Sequence, residues 1–349
     1  MPDIYDVAIL GAGPAGATLA RLIGNRFSTA VVDKKGTATD FRKPCGGLLS
    51  PDAQRALSRF DMTLPTDVLV SPQIFTVKTM DLETGRTAHY QRCYLNMDRA
   101  RFDEWLMAAI PAEADVFRGV CTSVERQSGV YILKTKDTEI RARILVGADG
   151  AASAVRSFLY PHSRLKRYIA IQQHFCEAAE RPFYSCVFDR ATSRFCSWAI
   201  SKDDILIYGG VFEPNGCREA FEAQKQRLPK PDFNLRTPIC TEACAVLRPE
   251  GTRQFCLGHD DAFLIGEAAG FISPTSFEGI SWAITSAALL ADALAAGPEN
   301  AAKRYRTATR SLRAKLYLKQ AKAPFMYNRA LRNLILRSGL RAVKLQTPT

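Results

Sequence analysis

The sequence predicts an α/β protein that consists of a parallel sheet built from both ends of the chain, an inserted antiparallel sheet and a C-terminal helical tail. Three observations predict this fold class. A glycine-cornered strand–turn–helix–strand unit occupies residues 5–33. Two later apolar runs, at 144–147 and 262–265, also end beside glycine. Between them, residues 169–255 alternate strand-like segments with turns, which is typical of an antiparallel sheet.

The first unit contains a predicted strand at Tyr5–Leu10, a predicted helix at Pro14–Ile23 and a second strand at Thr29–Asp33. The strands are continuous apolar runs, and the helix is rich in alanine and leucine. A strand that leads through glycines into a helix, with an acid at the end of the next strand, is typical of dinucleotide-binding sheets.

The turn before this helix has the spacing GxGxxG. Gly11 permits the tight turn, Gly13 lets the backbone approach a pyrophosphate, and Gly16 lets helix and strand pack closely. The helix N-terminus offers unpaired amides to phosphate, and the Asp33 carboxylate can accept ribose hydroxyls. A tight turn with a surface aspartate is the alternative. The predicted dinucleotide site comprises Gly11, Gly13, Pro14, Ala15, Gly16, Asp33 and Lys34.

Two later segments each follow a predicted strand. Residues 147–156 read GADGAASAVR and fit DGxxSxxR, and residues 264–271 read LIGEAAGF. Together with the GxGxxG turn, in this order, they resemble the three signatures of flavin hydroxylases and their relatives, the third of which is GDAAG. The resemblance implies FAD as the cofactor.

Three more blocks narrow the resemblance: residues 43–47 read KPCGG, 99–103 read RARFD, and 266–280 contain GEAAGF, ISP and EGI. With the signatures, they resemble the geranylgeranyl reductase family, a branch of the p-hydroxybenzoate-hydroxylase-like flavoproteins. The resemblance covers residues 1–300. It implies a Rossmann-like FAD-binding domain of three-layer ββα type, an inserted antiparallel-sheet substrate domain and a C-terminal helical tail.

The resemblance also implies domain boundaries. The expected FAD-binding domain is discontinuous and comprises residues 1–65, 97–165 and 256–300. The expected substrate domain comprises residues 66–96 and 166–255, and the basic helical tail comprises residues 301–349.

Site roles follow from the same resemblance. Arg99 is expected against the ribityl or pyrophosphate part of FAD, and Asp149 and Gly150 are expected to line the cofactor. Cys45 and Gly46 are expected near the substrate side of the flavin ring. For Cys45, a buried inert thiol is the competing interpretation.

A predicted helix starts at Gly279 and Ile280, and its amides would point at the pyrimidine end of the flavin. Reduced flavin carries negative charge there, so a positive helix end would stabilise it. Gly266, Glu267 and Gly270 complete the expected cofactor site. Glu267 departs from the aspartate that is usual in the family, so its contact to the ribityl chain is expected to differ.

No catalytic residue can be assigned from the sequence, and no metal site is expected. Cys45 and Trp198 are the candidates near the flavin. Residues 196–201 read CSWAIS and keep only the tryptophan of the YxWxFP segment that reductases of this family carry. His174 and His259 are candidates for proton transfer because histidine titrates near neutral pH.

The formal net charge of +12 is unevenly distributed. Residues 300–349 contain 13 Lys and Arg and no Asp or Glu, whereas the rest contains 34 bases and 35 acids. This argues against a nucleic-acid groove on the body of the protein. In the tail, apolar side chains share a helical face near arginines, so the tail either contacts anionic lipid or packs as a solvated basic helix. The residues concerned are Leu331, Leu334 and Ile335, with Arg329, Arg332, Arg337 and Arg341.

The N-terminus carries no secretory leader pattern, and no apolar run is long enough to span a bilayer. The ten cysteines contain no CxxC pair, which favours reduced thiols. We therefore expect a cytoplasmic protein, with peripheral contact to the inner face of the membrane as an option for the tail.

The resemblance implies an FAD-dependent oxidoreductase. The leading expectation is a reductase that transfers hydride from reduced FAD to a double bond of a hydrophobic, isoprenoid-like small molecule. One alternative is an FAD-dependent monooxygenase acting on a small molecule or a protein side chain, and another is a non-enzymatic flavin redox module. No second GxGxxG occurs, so NAD(P)H would bind transiently or a ferredoxin-like protein would donate electrons.

Overall fold

The computed structural model describes residues 2–34, 43–163, 165–176, 183–229, 233, 235–251 and 254–343. The strands are, in chain order, β1 Tyr5–Leu10, β2 Thr29–Asp33, β3 Leu48–Leu49, β4 Ile74–Asp81, β5 Arg86–Asn96, β6 Asp115–Arg118, β7 Ser123–Gln127, β8 Val130–Lys134, β9 Glu139–Gly147, β10 Lys166–Cys176, β11 Phe183–Phe188, β12 Cys196–Lys202, β13 Ile205–Phe212, β14 Pro238–Arg248, β15 Gly258–His259 and β16 Ala262–Leu264. The α-helices are α1 Pro14–Ile23, α2 Pro51–Ser58, α3 Arg99–Ala108, α4 Ala154–Leu159, α5 Cys217–Arg227, α6 Ile280–Ala295, α7 Ala301–Ala308, α8 Arg310–Tyr327 and α9 Arg329–Ser338.

The first sheet has the strand order β15–β16–β9–β1–β2–β6, and β8 and β7 continue from β9. β1 pairs in parallel with β2 and β9, and β9 pairs in parallel with β16. Parallel strands covered on both faces are continuous apolar runs, and the side chains of Val7, Ala8 and Ile9 are almost completely buried. One core joins these strands to α1, α6 and β8.

The second sheet has the order β14–β10–β13–β12–β11–β4–β5–β3. Its pairs are antiparallel except for β11, which pairs in parallel with β4. The parallel pair arises because much of the first sheet lies between these two strands in the chain, so no hairpin joins them. The sequence predicted only the antiparallel part.

The tail is helical, and the break between α8 and α9 falls at Asn328. Pro324 lies inside α8, which continues to Tyr327. The next helix, α9, ends before Gly339, whose backbone adopts the left-handed conformation. Because Pro324 lies in the last turn, its missing N–H removes a bond only where the helix is about to end. None of the helices among the described residues combines the length and the hydropathy that a bilayer-spanning segment needs.

Candidate functional site

Three signature loops meet at one edge of the first sheet. In the register of the sheet, Leu10 lies opposite Gly147, and Gly147 lies opposite Leu264. The carboxyl ends of β1, β9 and β16 are therefore adjacent, and the loops that follow them leave the same edge. Ligands of open α/β sheets bind at this edge.

The glycines of the first loop have distinct steric surroundings. A Cβ on Gly11 would lie 2.6 Å from the Ala148 carbonyl oxygen, and one on Gly16 would lie 1.8 Å from the Gly11 carbonyl oxygen. A Cβ on Gly13 would meet no atom within 4 Å. The outer glycines thus permit backbone packing, whereas Gly13 borders open space. Asp33 ends β2 and accepts a hydrogen bond from the Ala12 amide.

Asp149 fixes the second loop. One carboxylate oxygen, Oδ2, accepts from the Ala154 amide at 2.7 Å, at the first residue of α4. The other, Oδ1, is buried and has no hydrogen-bond partner among the described residues. Burial raises the pKa of Asp149. An orphaned buried acceptor beside Gly150, whose φ is +75°, fits a ligand that supplies donors here.

Arg156, the last residue of the DGxxSxxR segment, connects the second and third loops. Its guanidinium donates to the carbonyl oxygens of Ala151 and of Ala268, the latter at 2.9 Å. Its side chain is buried, and nothing in the sequence beyond the motif itself indicated this role. The two loops are therefore held at a fixed separation.

Glu267 of the third loop contacts two other parts of the chain. Its Oε1 atom accepts from the Leu247 amide at 3.0 Å, and its Oε2 atom pairs with Lys43. Burial alone would lower the pKa of Lys43, but the Glu267 carboxylate raises it. The glutamate thus links the third loop to β14 and to the KPCGG segment.

Arg99 is the first residue of α3 and lies at the same site. Its Nε atom lies 3.0 Å from Asp103 Oδ1. Burial alone would lower the pKa of Arg99, but the Asp103 carboxylate and the Cys45 thiol hold it above its usual value. A permanent cation therefore lies beside Cys45. The contact of Arg99 with the ribityl or pyrophosphate part of FAD stays a prediction.

The loop that contains Cys45 packs against β12. A Cβ on Gly46 would lie 2.6 Å from Ile200 Cδ1 and 3.7 Å from Trp198 Cδ1. The Trp198 indole nitrogen is buried without a partner among the described residues. Both sequence candidates, Cys45 and Trp198, therefore lie where the first-sheet loops meet the second sheet.

Lys202 holds this loop in place and was not predicted. Its ammonium donates to Asn96 Oδ1 and to the Met97 carbonyl oxygen, each at 2.6 Å, and to the Gly47 carbonyl oxygen at 3.1 Å. Burial lowers the pKa of Lys202 to about 8. Its acceptors are about 105 residues or more away in sequence, so no local pattern could reveal them.

Across the second sheet, Trp198, Gly209, Gln172 and Glu242 are successive opposite neighbours on β12, β13, β10 and β14. Opposite residues share a face of the sheet. A Cβ on Gly209 would lie 2.7 Å from both the Trp198 ring and Gln172 Cβ, so glycine lets these two side chains approach. The side chain of Cys244, two residues after Glu242 on β14, lies on the same face of the sheet.

Cys244 connects this face to the loops. Burial raises the pKa of Cys244 to about 11. Nearby Lys43 and Arg99 act to lower it, and Glu267 acts to raise it. Gly46 packs against Trp198, and Cys244 lies near Lys43 and Glu267, so the face that carries Trp198, Gln172 and Glu242 is turned toward the cofactor-site loops.

His174 and Glu242 form a pair on that face. His174 Nε2 lies 3.3 Å from Glu242 Oε2, and Gln172 Nε2 donates to the same oxygen at 2.7 Å. The other candidate, His259, lies in the first sheet, exposed beside Asp260. Each histidine has a carboxylate neighbour, but of the two only His174 lies on the sheet face turned toward the loops, and the sequence could not identify Glu242 as its partner.

The start of α6 differs in one respect from expectation. Glu278 accepts from the Ser281 amide and hydroxyl, both at 2.9 Å, so one early amide of the helix already has a carboxylate partner. Burial raises the pKa of Glu278. Gly279 and Ile280 begin the helix, with the Gly279 carbonyl oxygen accepting from the Ala283 amide.

The remaining predicted residues lie around the same edge. Pro14 and Ala15 form the first turn of α1, and Gly266 and Gly270 bound a short 3-10 turn with φ of +57° and +89°. Lys34 follows β2 and is exposed.

A separate pocket of about 310 Å³ lies at the tail, between Phe195, Arg248 and Tyr327.

No family model matches the chain. It is 44% identical over 344 residues to the protein CbrA of Escherichia coli O6:H1, covering 96% of this chain and 94% of that protein. It is also 44% identical to CbrA of Escherichia coli O157:H7, covering 96% and 97% of the two chains.

Solved structures of similar fold are flavoproteins. A geranylgeranyl bacteriochlorophyll reductase-like protein from Thermoplasma acidophilum has a TM-score of 0.77 at 17% identity, covering 95% of this chain and 90% of that one. A probable FAD-dependent monooxygenase, PqsL from Pseudomonas aeruginosa, has a TM-score of 0.71 at 19% identity, covering 96% and 100%. A variant of the flavin-dependent brominase Bmp2 has a TM-score of 0.72 at 17% identity, covering 96% and 93%.

These similarities confirm the predicted fold class: a Rossmann-like FAD-binding fold with a second sheet and a helical tail. At such identities they show the fold and do not distinguish between reductase, halogenase and monooxygenase. The extensive identity to the Escherichia coli proteins shows the family, and the chain belongs to the CbrA family.

Proposed function

We propose that this protein binds FAD at the three-loop edge and acts as a reductase on a double bond of a hydrophobic, isoprenoid-like small molecule. Three features support FAD: the open space at Gly13, the unpartnered Asp149 Oδ1 atom and the cations Arg99 and Lys43 beside the loops. The first-loop amides would hold the pyrophosphate, and Asp33 the adenosine ribose.

The observation that carries the reductase proposal is the His174–Glu242 pair on the sheet face turned toward the loops. Bound FAD, once reduced, supplies two electrons as hydride to one carbon of the double bond. The second carbon needs a proton, and His174 would donate it. Glu242, which lies at 3.3 Å from His174 and is partly exposed, would orient the imidazole and return a proton from solvent.

Other residues would position the substrate. Trp198, which lies between Gly46 and Gly209, would contact an alkene through its apolar ring. Cys45 lies beside the Arg99 cation, at the junction of loop and sheet. We assign these two side chains to substrate and flavin positioning, without a bond-forming step.

The direct test begins with purified protein loaded with FAD and reduced under exclusion of oxygen. Adding a polyprenyl alcohol or polyprenyl phosphate should restore the absorbance of oxidised flavin and yield a product two mass units heavier per double bond, by the added hydride and proton. A saturated alcohol of equal length is the matched control and should leave the flavin reduced.

A flavin that no alkene reoxidises, together with substrate-dependent oxygen uptake and one oxygen atom in the product, would replace this proposal by a monooxygenase. FAD bound without turnover of either kind would favour a redox module. Comparing NADH, NADPH and reduced ferredoxin as reductants would identify the electron donor.

A further inference from the structure

One face of α8 is exposed and alternates lysine with large apolar side chains. Leu318 and Phe325 are 63% and 53% exposed, and Lys315 and Lys322 are exposed at spacings of three and four residues from them. Such spacings place all four side chains on one stripe of the helix. The opposite face packs on the protein through Leu312, Leu316 and Ala323, which are buried.

Neither Lys315 nor Lys322 has an ion-pair partner among the described residues. The nearby Lys319, which lies off this stripe, approaches Asp52 at 3.9 Å. The tail itself contains no Asp or Glu between residues 300 and 349. The stripe therefore presents uncompensated positive charge together with apolar area.

The structure corrects the sequence-based choice of residues for this role. Arg332 is buried and pairs with Asp81 and Glu83 at 2.9 and 3.1 Å, so it holds α9 on the second sheet. Leu331 and Ile335 are half-buried, and only Leu334 of the predicted apolar face is largely exposed, at 65%. The exposed amphipathic element is α8, which the sequence pattern did not single out.

We propose that the Lys315–Phe325 stripe of α8 docks on the surface of an anionic phospholipid bilayer. Leu318 and Phe325 would enter the boundary between headgroups and acyl chains, and the lysine ammonium groups would extend to lipid phosphates. Nucleic acid would leave the two apolar side chains without a partner. A second copy of the chain would bring the same positive stripe, so like charges would oppose the pairing.

Co-sedimentation with vesicles tests the proposal in the full-length protein. Wild type should bind vesicles that contain phosphatidylglycerol and phosphatidylcholine, bind pure phosphatidylcholine weakly, and lose binding as salt increases. Leu318→Ser with Phe325→Ser, and separately Lys315→Gln with Lys322→Gln, should each reduce binding by about tenfold or more.

The matched control is Phe75→Ser with Ile239→Ser, which removes two equally exposed apolar side chains from the second sheet, at 62% and 60% exposure. It should bind vesicles as wild type does. All variants alter exposed side chains, so circular dichroism melts should coincide. Wild-type binding that both α8 variants retain, or a dimer in light scattering that the Leu318 and Phe325 changes abolish, would overturn the proposal.

Discussion

The Nη1 atom of Arg156 lies 2.9 Å from the carbonyl oxygen of Ala268, a residue 112 positions later in the chain. This bond joins the loop after β9 to the loop after β16 at the edge where the cofactor is proposed to bind. The guanidinium also donates to the Ala151 carbonyl oxygen. Two segments that are remote in sequence are therefore held as one surface.

Replacing Arg156 by methionine should lower the free energy of unfolding by about 3 kcal/mol, because two buried carbonyl oxygens lose their donor. FAD affinity should fall as well, since the loops would no longer share a fixed geometry. Urea unfolding and FAD titration measure the two effects. Arg143→Met is the control: Arg143 is 63% exposed and pairs with Asp6 at the surface, so its loss should change stability by less than about 1 kcal/mol. Equal effects of the two substitutions would contradict the role of Arg156.

Gly13→Ala should separate folding from cofactor binding. No atom lies within 4 Å of the added methyl, so the thermal midpoint should stay at the wild-type value. The methyl would occupy the space proposed for the pyrophosphate, so FAD affinity should fall by about tenfold or more. Gly251→Ala, also without neighbours within 4 Å, is the matched control and should bind FAD normally. An unchanged FAD affinity in the Gly13 variant would place the cofactor elsewhere.

Lys202→Met should lower the free energy of unfolding at pH 7 by about 2 kcal/mol, because buried acceptors lose a charged donor. The pKa of Lys202 is lowered to about 8 in the folded protein, whereas an unfolded lysine titrates near about 10.4. Between these values the unfolded chain binds more protons, so wild-type stability should rise relative to the variant with increasing pH. Below pH 8 the difference should be constant.

Urea unfolding of both proteins at several pH values between 7 and about 10 checks this prediction. Lys136, which is exposed, provides the control: the stability difference between wild type and Lys136→Met should show no such rise. A stability difference that stays constant between pH 8 and about 10 would mean that the folded protein keeps the proton of the Lys202 ammonium.

His174→Gln and Glu242→Gln should each slow alkene reduction by about 100-fold, the lower end of the usual contribution of general acid catalysis. FAD binding and reduction of the flavin by its donor should be unchanged, because neither residue belongs to the loops. In deuterated water, wild type should place one solvent deuterium on the product. His259→Gln is the control and should behave as wild type, since His259 lies in the first sheet. A His174 variant with full activity would exclude it as the proton donor.

The sequence predicted those parts of the fold whose signals are local. β1, α1 and β2 begin and end at the predicted residues, because apolar periodicity and the glycine turn lie within about 30 consecutive positions. The parallel pairing of β4 with β11 could not be predicted, since it depends on where a distant segment re-enters the sheet.

The site divides in the same way. Glycine spacings, and acids that follow predicted strands, identified the three signature loops from the sequence. In the structure these loops lie at one edge of the first sheet. No local sequence pattern identifies Glu242 or Lys202. Each forms a hydrogen bond with a residue from another strand or loop, and each has the sequence surroundings of an ordinary strand residue. Arg332 shows the opposite error, since a basic residue in a basic tail is buried against Asp81.

The tail is attached to both sheets. Tyr305 of α7 donates to the Leu264 carbonyl oxygen in the first sheet at 3.0 Å, and Arg332 of α9 binds Asp81 in the second. A tail bound to both sheets opposes a hinge motion that would separate them, because such a motion would break the buried contact between Arg332 and Asp81. With the proposed function, substrate would therefore exchange through rearrangement of loops and side chains at the rim, while the two sheets keep their relative position.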